Sequence, residues 1–585
     1  MRKQIILTTC LGIAISLTGC STKIIQDPQQ QEQFDAFLEN DFKEYMEASY
    51  LNLHTFLEDP STYGIDPSET VIEISPLLTE DSFKENRKEF IKAQKEFQRF
   101  DREALSKSQQ ESYDKYAFML EVNQGYTQAK FDDMERLFDS MSGIHVQLPT
   151  LLADWSIRNE QDIKDVIQMI TTIRPYVQSL LSYVKTQEQE GTLMIDIESV
   201  KSYCQGIIDA KDDSGVLKGL FSSIDRLSLD PVLLQSYQNE IKQVFETSFI
   251  GAYQDIIDVM NHLDPAKNNE KGLCFLEDGK EYYEIMVQEA TGLDTSIKDI
   301  QKQLEDCAYT SIYAAQELLS NEEVAKAYMS GTMTTEYTSY EMMLEDLNQQ
   351  IQKDFPKVQA LNYEVQPIAP DLAATGIAAY FNIPPLDASQ PKQIRINTLQ
   401  DTNHLQALET FSTVAHEGLP GHMYQIAYQY ENGRTNWDKL CPSFLGYTEG
   451  YATYVENYAL SYLDTLTPEQ AQLMQNLNVY QNCIIALMDI GIHYEGWDVE
   501  RCASFMEEQG LMLENIDEVY DQIQANPTSF LSYYVGCVQI LNLKQEAKRK
   551  LKDEFDPKQF HESILKSGPA PFSVVEENVY AYIEK

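Results

Sequence analysis

The chain has 585 residues, 43% of them hydrophobic, and a formal charge of -47. That length is too great for one simple core and predicts several domains or large subdomains. The charge excludes nucleic acid as a partner, because a phosphate backbone needs a basic face.

The N-terminus opens with Arg2 and Lys3, followed by an apolar run, Ile5 to Leu17, too short to span a bilayer comfortably. Leu17-Thr18-Gly19-Cys20 follows. This pattern resembles a bacterial lipoprotein signal, in which the cysteine is diacylated and becomes the new N-terminus. Residues 1–19 are therefore expected to be a signal peptide, Cys20 the lipidation site, and residues 20–33 a tether, with Gln26 to Gln33 flexible. Lipidation implies an extracytoplasmic protein that meets the cell membrane through its anchor only. Cys204, Cys274, Cys307, Cys441, Cys483, Cys502 and Cys537 lie scattered without CxxC spacing. They are odd in number and read as small buried hydrophobes, with no disulfide framework or thiolate metal site.

Residues 34–365 read as a helical scaffold. Gly (25) and Pro (21) are sparse, and apolar residues recur at three- and four-residue steps. Helices are expected over Gln33–Leu53, Phe83–Gln98, Ser108–Asn123, Glu160–Gln187, Tyr237–Met260 and Thr295–Ser320, with breaks at Asp59-Pro60, Asp230-Pro231 and Asp264-Pro265. The texture changes near residue 365. Prolines crowd in, and Ala379–Asn382 and Ile394–Thr398 look extended, which predicts a small β element. A peptidase can use such a strand to hold substrate by backbone pairing. Helices resume from Leu405, and residues 366–585 form the expected catalytic region.

The strongest local signal is His416-Glu417-Gly418-Leu419-Pro420-Gly421-His422. A catalytic zinc needs imidazole ligands, an open position for water, and a carboxylate that takes the water's proton. His416, Glu417 and His422 supply those groups. The histidines are six residues apart, which on a continuous helix sets them about 240° apart, facing different ways. An unbroken helix therefore cannot present both to one metal. Pro420 and Gly421 permit a break that returns His422 to the side of His416. Downstream, Glu449, Thr453 and Glu456 share a helical face at i, i+4 and i+7. Glu449 is the expected third ligand, and Glu456 is expected to orient a ligating histidine. Tyr533 and His493 are expected at the site, where a phenol or imidazolium stabilises an oxyanion. Tyr534 is a weaker candidate, and His54, His145, His262, His404 and His561 read as structural.

The His416–His422 motif, Glu449-Gly-Tyr-Ala, Asp489-Ile-Gly-Ile-His493 with Trp497, Tyr533-Tyr-Val-Gly536 and Phe560–Pro569 stand in one order. Together they resemble a large bacterial family with an HEGxPGH signature and no known function. That family is similar to helical gluzincin peptidases, such as the angiotensin-converting-enzyme and thimet-oligopeptidase groups. The resemblance is specific from about residue 375 onward. It implies a mostly α, multihelical cleft enzyme with one Zn2+ per chain and peptide substrates. Met423 stands where many members have a second consecutive histidine, and Lys544 where an arginine is frequent. Two other readings fit the same residues. One is a lipid-anchored binding protein with a structural or inactive metal site. The other is a zinc amidase acting on a non-peptide or cell-wall amide.

Overall fold

A computed structural model of the protein describes residues 27–584 apart from 360, 370–371, 373–378, 399–401, 442–443 and 512–514. Cys20, the signal segment and the first part of the expected tether lie outside the described residues. Helix α1 (Pro28–Glu47) begins directly after them. The Asp27 side chain accepts from the backbone N–H groups of Gln29 and Gln30, and Pro28 takes the first helical position, which needs no donor. Phe34, Leu38, Phe42 and Met46 then bury one face. Residues 28–33 are therefore helical, a correction to the expected tether: the Asp27-Pro28 start outweighs the polar composition of the glutamine run.

The helices before the sheet are α2 (Tyr50–Phe56), α3 (Glu80–Phe97), α4 (Lys107–Tyr126), α5 (Ile144–Ala153), α6 (Glu160–Glu190), α7 (Ile197–Asp209), α8 (Gly215–Asp225), α9 (Pro231–Val244), α10 (Gly251–Met260), α11 (Gly279–Thr291), α12 (Ile297–Leu319), α13 (Glu322–Met329) and α14 (Tyr340–Gln350). Those expected from periodicity are present. Two expected long helices are interrupted. Ser49 breaks Gln33–Leu53 by capping Asn52, and a π turn at Phe245–Ile250 joins α9 to α10. Asp59, Asp230 and Asp264 each cap a new helical turn that starts on the following proline.

Strands β1 (Tyr363–Pro367), β2 (Ala379–Asn382) and β3 (Lys392–Ile396) form, among the described residues, one three-stranded sheet of order β1-β3-β2. β1 runs parallel to β3, and β2 runs antiparallel to it with Phe381 opposite Ile394. After the sheet come α15 (Leu408–Glu417), α16 (His422–Asn432), α17 (Asn436–Leu440), α18 (Leu445–Ala459), α19 (Pro468–Ile490), α20 (Val499–Glu508), α21 (Ile516–Ala525), α22 (Ser529–Leu551), α23 (Pro557–Leu565) and α24 (Phe572–Ile583). The fold is mostly α with a small β element, as composition and periodicity predict.

The apolar faces gather into separate cores. One is built by α5 to α10. A second packs α11 and α12 against α19 to α22. A third joins α1 and α4 to α14, the sheet, α15 to α18, α23 and α24. In that third core the rings of Tyr116 and Trp437 lie 5.7 Å apart, and Trp437 Nε1 donates to Asp41 at 3.0 Å. The change of texture at residue 365 thus marks the sheet and not the edge of a core. No described helix is long and apolar enough to cross a membrane. The seven cysteines after Cys20 are unbridged, and Cys204, Cys441, Cys483, Cys502 and Cys537 are buried.

Candidate metal centre

His416 and Glu417 are the last residues of α15, which Phe411, Val414 and Ala415 anchor in the core. Gly418 leaves the helix at φ -104°, ψ -100°. The Gly421 N–H then donates back to Ala415 O at 2.9 Å, so the chain crosses the end of α15 before α16 starts at His422. Only glycine fits at Gly421, where a Cβ would stand 1.7 Å from His416 O and 2.4 Å from Ala415 O. Tyr451, fully buried in α18, donates its hydroxyl to Pro420 O at 3.0 Å and holds the crossing in place. The interruption expected between the histidines is present. It brings their rings to 4.8 Å, nearly perpendicular at 83°.

Helix α18 adds two carboxylates from one face. Glu449 Oε2 lies 3.2 Å from His422 Nε2 and 3.5 Å from His416 Nε2. Glu456 Oε2 lies 2.7 Å from the other nitrogen of His416, Nδ1. A proton on Nδ1 for that bond leaves the Nε2 lone pair turned toward Glu449. Ligand atoms of His416, Glu417 and His422 also lie within 4.8 Å of one another. The two candidate third ligands are told apart by their partners. Glu417 Oε2 accepts the Phe381 N–H of β2 at 2.8 Å, whereas Glu449 Oε2 is buried and, among the described residues, no donor meets it in hydrogen-bonding geometry.

These groups fit a zinc ion. A tetrahedral ion with ligands at about 2.0–2.2 Å sets its ligand atoms about 3.4 Å apart, and the separations at Glu449 Oε2 are 3.2 and 3.5 Å. The Glu449 oxygen, buried between two imidazole nitrogens with no aligned donor among the described residues, calls for a positive neighbour. With both imidazoles neutral, as metal ligands must be, the three carboxylates leave a negative charge that a dication largely offsets. Protonation follows the same field. Burial opposes charge on both histidines, yet Glu449 and Glu456 raise His416 well above its ordinary value, and Glu449 raises His422. Burial raises Glu449 too, but the two imidazoles outweigh it and hold the carboxyl below the usual range. Glu417 is pushed up by burial against the opposing histidines.

Tyr533, in α22, lays its ring 6.1 Å from that of His416 at 19°. Burial, then the charges of Glu449 and Glu417, raise its phenol far above its ordinary value, so it stays an O–H donor. Tyr534 stacks instead on Phe530 at 6.0 Å. His493 is not brought to this cluster. It is fully buried, its Nδ1 accepts the Leu273 N–H at 3.3 Å, and its Nε2 donates to Ile523 O at 3.1 Å. Burial lowers it to about 3, so it is a neutral core histidine with both nitrogens occupied. Met423 is fully buried, and Lys544 lies over the rings of Tyr458 at 4.1 Å and Tyr454 at 4.8 Å. The Phe381 N–H was missed by sequence reasoning, because a backbone donor leaves no mark in residue type.

The chain belongs to the bacterial family of proteins of unknown function DUF885, whose profile matches residues 73–579. No curated protein matches it. It is similar in structure to a candidate lipoprotein from Colwellia psychrerythraea, with a TM-score of 0.79, 17% identity, and coverage of 96% of this chain and 100% of that one. It is also similar to a candidate lipoprotein of unknown function from Shewanella oneidensis, with a TM-score of 0.61, 14% identity, and coverage of 93% and 98%. At these identities the likenesses establish the fold alone.

Proposed function

We propose that this DUF885 member is a zinc-dependent peptidase of the gluzincin type, held at the membrane surface by a lipid on Cys20. The observation that carries the reading is the meeting of His416, His422 and Glu449 around Glu449 Oε2, with Glu417 beside them but held by a different partner. His416, His422 and Glu449 would hold the zinc, which when bound supplies a Lewis acid and lowers the pKa of water to about 7.

The chain's own residues do the rest. Glu417 takes the proton of the attacking water and passes it to the leaving amine. The neutral Tyr533 phenol donates to the oxyanion as the carbonyl becomes tetrahedral. Glu456 fixes the His416 ring and its tautomer. A peptide in extended form would pair with the backbone groups that β2 turns away from β3 other than the Phe381 N–H, which Glu417 takes. For the anchor, support comes from the Cys20 motif and from two structural relatives described as candidate lipoproteins.

Glu417→Gln tests the chemistry. It keeps shape and hydrogen bonding and removes the base. The variant is expected to fold and to retain zinc by elemental analysis, while turnover of a mixed-peptide digest falls about 10²-fold or more. Unchanged turnover rules Glu417 out as the base. Lost zinc makes Glu417 a ligand instead.

A further inference from the structure

Phe381 stands in β2, opposite Ile394 of β3. Backbone groups along an antiparallel strand alternate between the two edges. The Phe381 N–H belongs to the edge away from β3, since it donates to Glu417 Oε2 at 2.8 Å. The next residue back is held from another direction. Tyr380 donates its hydroxyl to Asp154 Oδ2 at 2.6 Å, and Arg395, opposite Tyr380 in β3, pairs with Asp154 Oδ1 at 2.7 Å. Arg395 also donates to Gln366 of β1 at 3.0 Å. Asp154 caps the end of α5, among the helices that precede the sheet. A continuous set of bonds thus runs from α5 through two strands to the last residue of α15.

We propose that β2 is the positioning element for Glu417: the Phe381 N–H fixes one carboxylate oxygen and leaves the other to take the proton, and Asp154, through Tyr380 and Arg395, sets where that N–H stands. The inference rests on Glu417 being the base. Phe381 acts through its backbone and touches no reacting atom, so it is a positioning residue. A glutamate has rotatable bonds to spend, and misplacing a reacting group by about 1 Å can cost about 10²-fold in rate. A hydrogen bond from a fixed strand to a charged carboxylate is strong enough to hold one arrangement.

Two measurements test it. The first needs no activity: amide hydrogen exchange at single-residue resolution, comparing the wild-type chain with Glu417→Ala. Exchange at Phe381 is expected to speed up about 10-fold or more, while Tyr380 and Asn382, turned toward β3, keep their rates. An unchanged Phe381 rate overturns the proposal. The second compares Phe381→Leu, Phe381→Pro and Tyr380→Phe on a peptide that the wild type cleaves, with bound zinc and thermal unfolding measured on each preparation. Phe381→Leu keeps the N–H and is expected to lose far less kcat than Phe381→Pro. Phe381→Pro removes it from an edge that makes no ladder bond, and kcat is expected to fall about 10-fold or more with KM and zinc unchanged. Tyr380→Phe is expected to lose less, again in kcat. Equal losses in Phe381→Leu and Phe381→Pro assign the effect to the side chain and overturn the proposal. Should Phe381→Pro unfold, the exchange measurement decides. Should the wild type cleave no peptide, the peptidase reading fails, while the exchange measurement still decides whether β2 holds Glu417.

Discussion

Gly450 of α18 and Gly536 of α22 meet so closely that a Cβ on Gly450 would stand 2.4 Å from Gly536 Cα, and one on Gly536 would stand 2.8 Å from Gly450 Cα and 1.9 Å from Gly446 O. The atoms in the way are backbone, which cannot swing aside. Each glycine sits close to a site residue, Glu449 one position before Gly450 and Tyr533 three before Gly536. The approach of the two helices therefore sets how near the carboxylate and the phenol stand to His416.

Gly450→Ala is expected to force α18 and α22 apart. Overpacking of this kind costs about 1–3 kcal/mol, and backbone contacts leave little room to relax. Zinc affinity is expected to fall with it, because Glu449 moves with α18. Gly206→Ala is the control. Gly206 lies within α7 with nothing within 4 Å of an added Cβ, so alanine is expected to stabilise by up to about 1 kcal/mol through helix propensity. Urea unfolding of both variants checks the pair, and equal midpoints would show that the glycine contact carries no packing constraint.

Anchoring gives a second prediction. Cys20→Ser removes the thiol that takes the lipid, so the protein is expected to leave the membrane fraction or to remain unprocessed. Cell fractionation with mass measurement distinguishes the forms. Fully processed Cys20→Ser in the membrane pellet would remove the basis for a lipid anchor.

Much of the site could be read in one dimension because its parts are local. The six-residue histidine spacing with Pro420-Gly421 demands a break, and the break is there. Glu449 and Glu456 share a face by helical arithmetic, and both reach the histidines. His493 was misplaced for a physical reason. A histidine one residue after buried Ile492 has the same letters whether its nitrogens meet a metal site or the backbone of Leu273 and Ile523. Long-range backbone pairing was equally hidden. Nothing in Tyr363–Pro367 announces that it will lie beside Lys392–Ile396, and nothing in Phe381 announces Glu417. The glutamine run after Asp27 misled through composition, since burial of Phe34 and Leu38 decides its state.

Glu456 supplies a third prediction. Its carboxylate meets the outer nitrogen of His416, at 2.7 Å. Partners of this kind typically contribute 10–100-fold in metal affinity. Glu456→Ala is expected to weaken zinc binding by about that factor, and Glu456→Gln, which keeps an acceptor, by less. Competition with a chelator of known affinity measures both. Wild-type affinity in Glu456→Ala would make the contact incidental.

The last prediction concerns pH and a carboxyl outside the site. Asp489 is fully buried, accepting from the Tyr283 hydroxyl at 2.5 Å and the Thr528 N–H at 3.0 Å. Burial, against the pull of those hydrogen bonds, raises it from 3.8 to about 7. The folded state therefore holds the proton more tightly than the unfolded chain does. The contribution of this group to stability is complete below the unfolded value of 3.8, declines as pH rises, and is gone once pH passes the folded value of about 7. One proton changes stability by about 1.4 kcal/mol per pH unit within that window, so the full loss is on the order of a few kcal/mol. Asp489→Asn does not titrate. Measured by urea unfolding at pH 5 and pH 8, wild type minus variant is expected to fall as pH rises, because titrations shared by both proteins cancel. A difference that is the same at both pH values would show that burial does not raise the Asp489 carboxyl above its ordinary range.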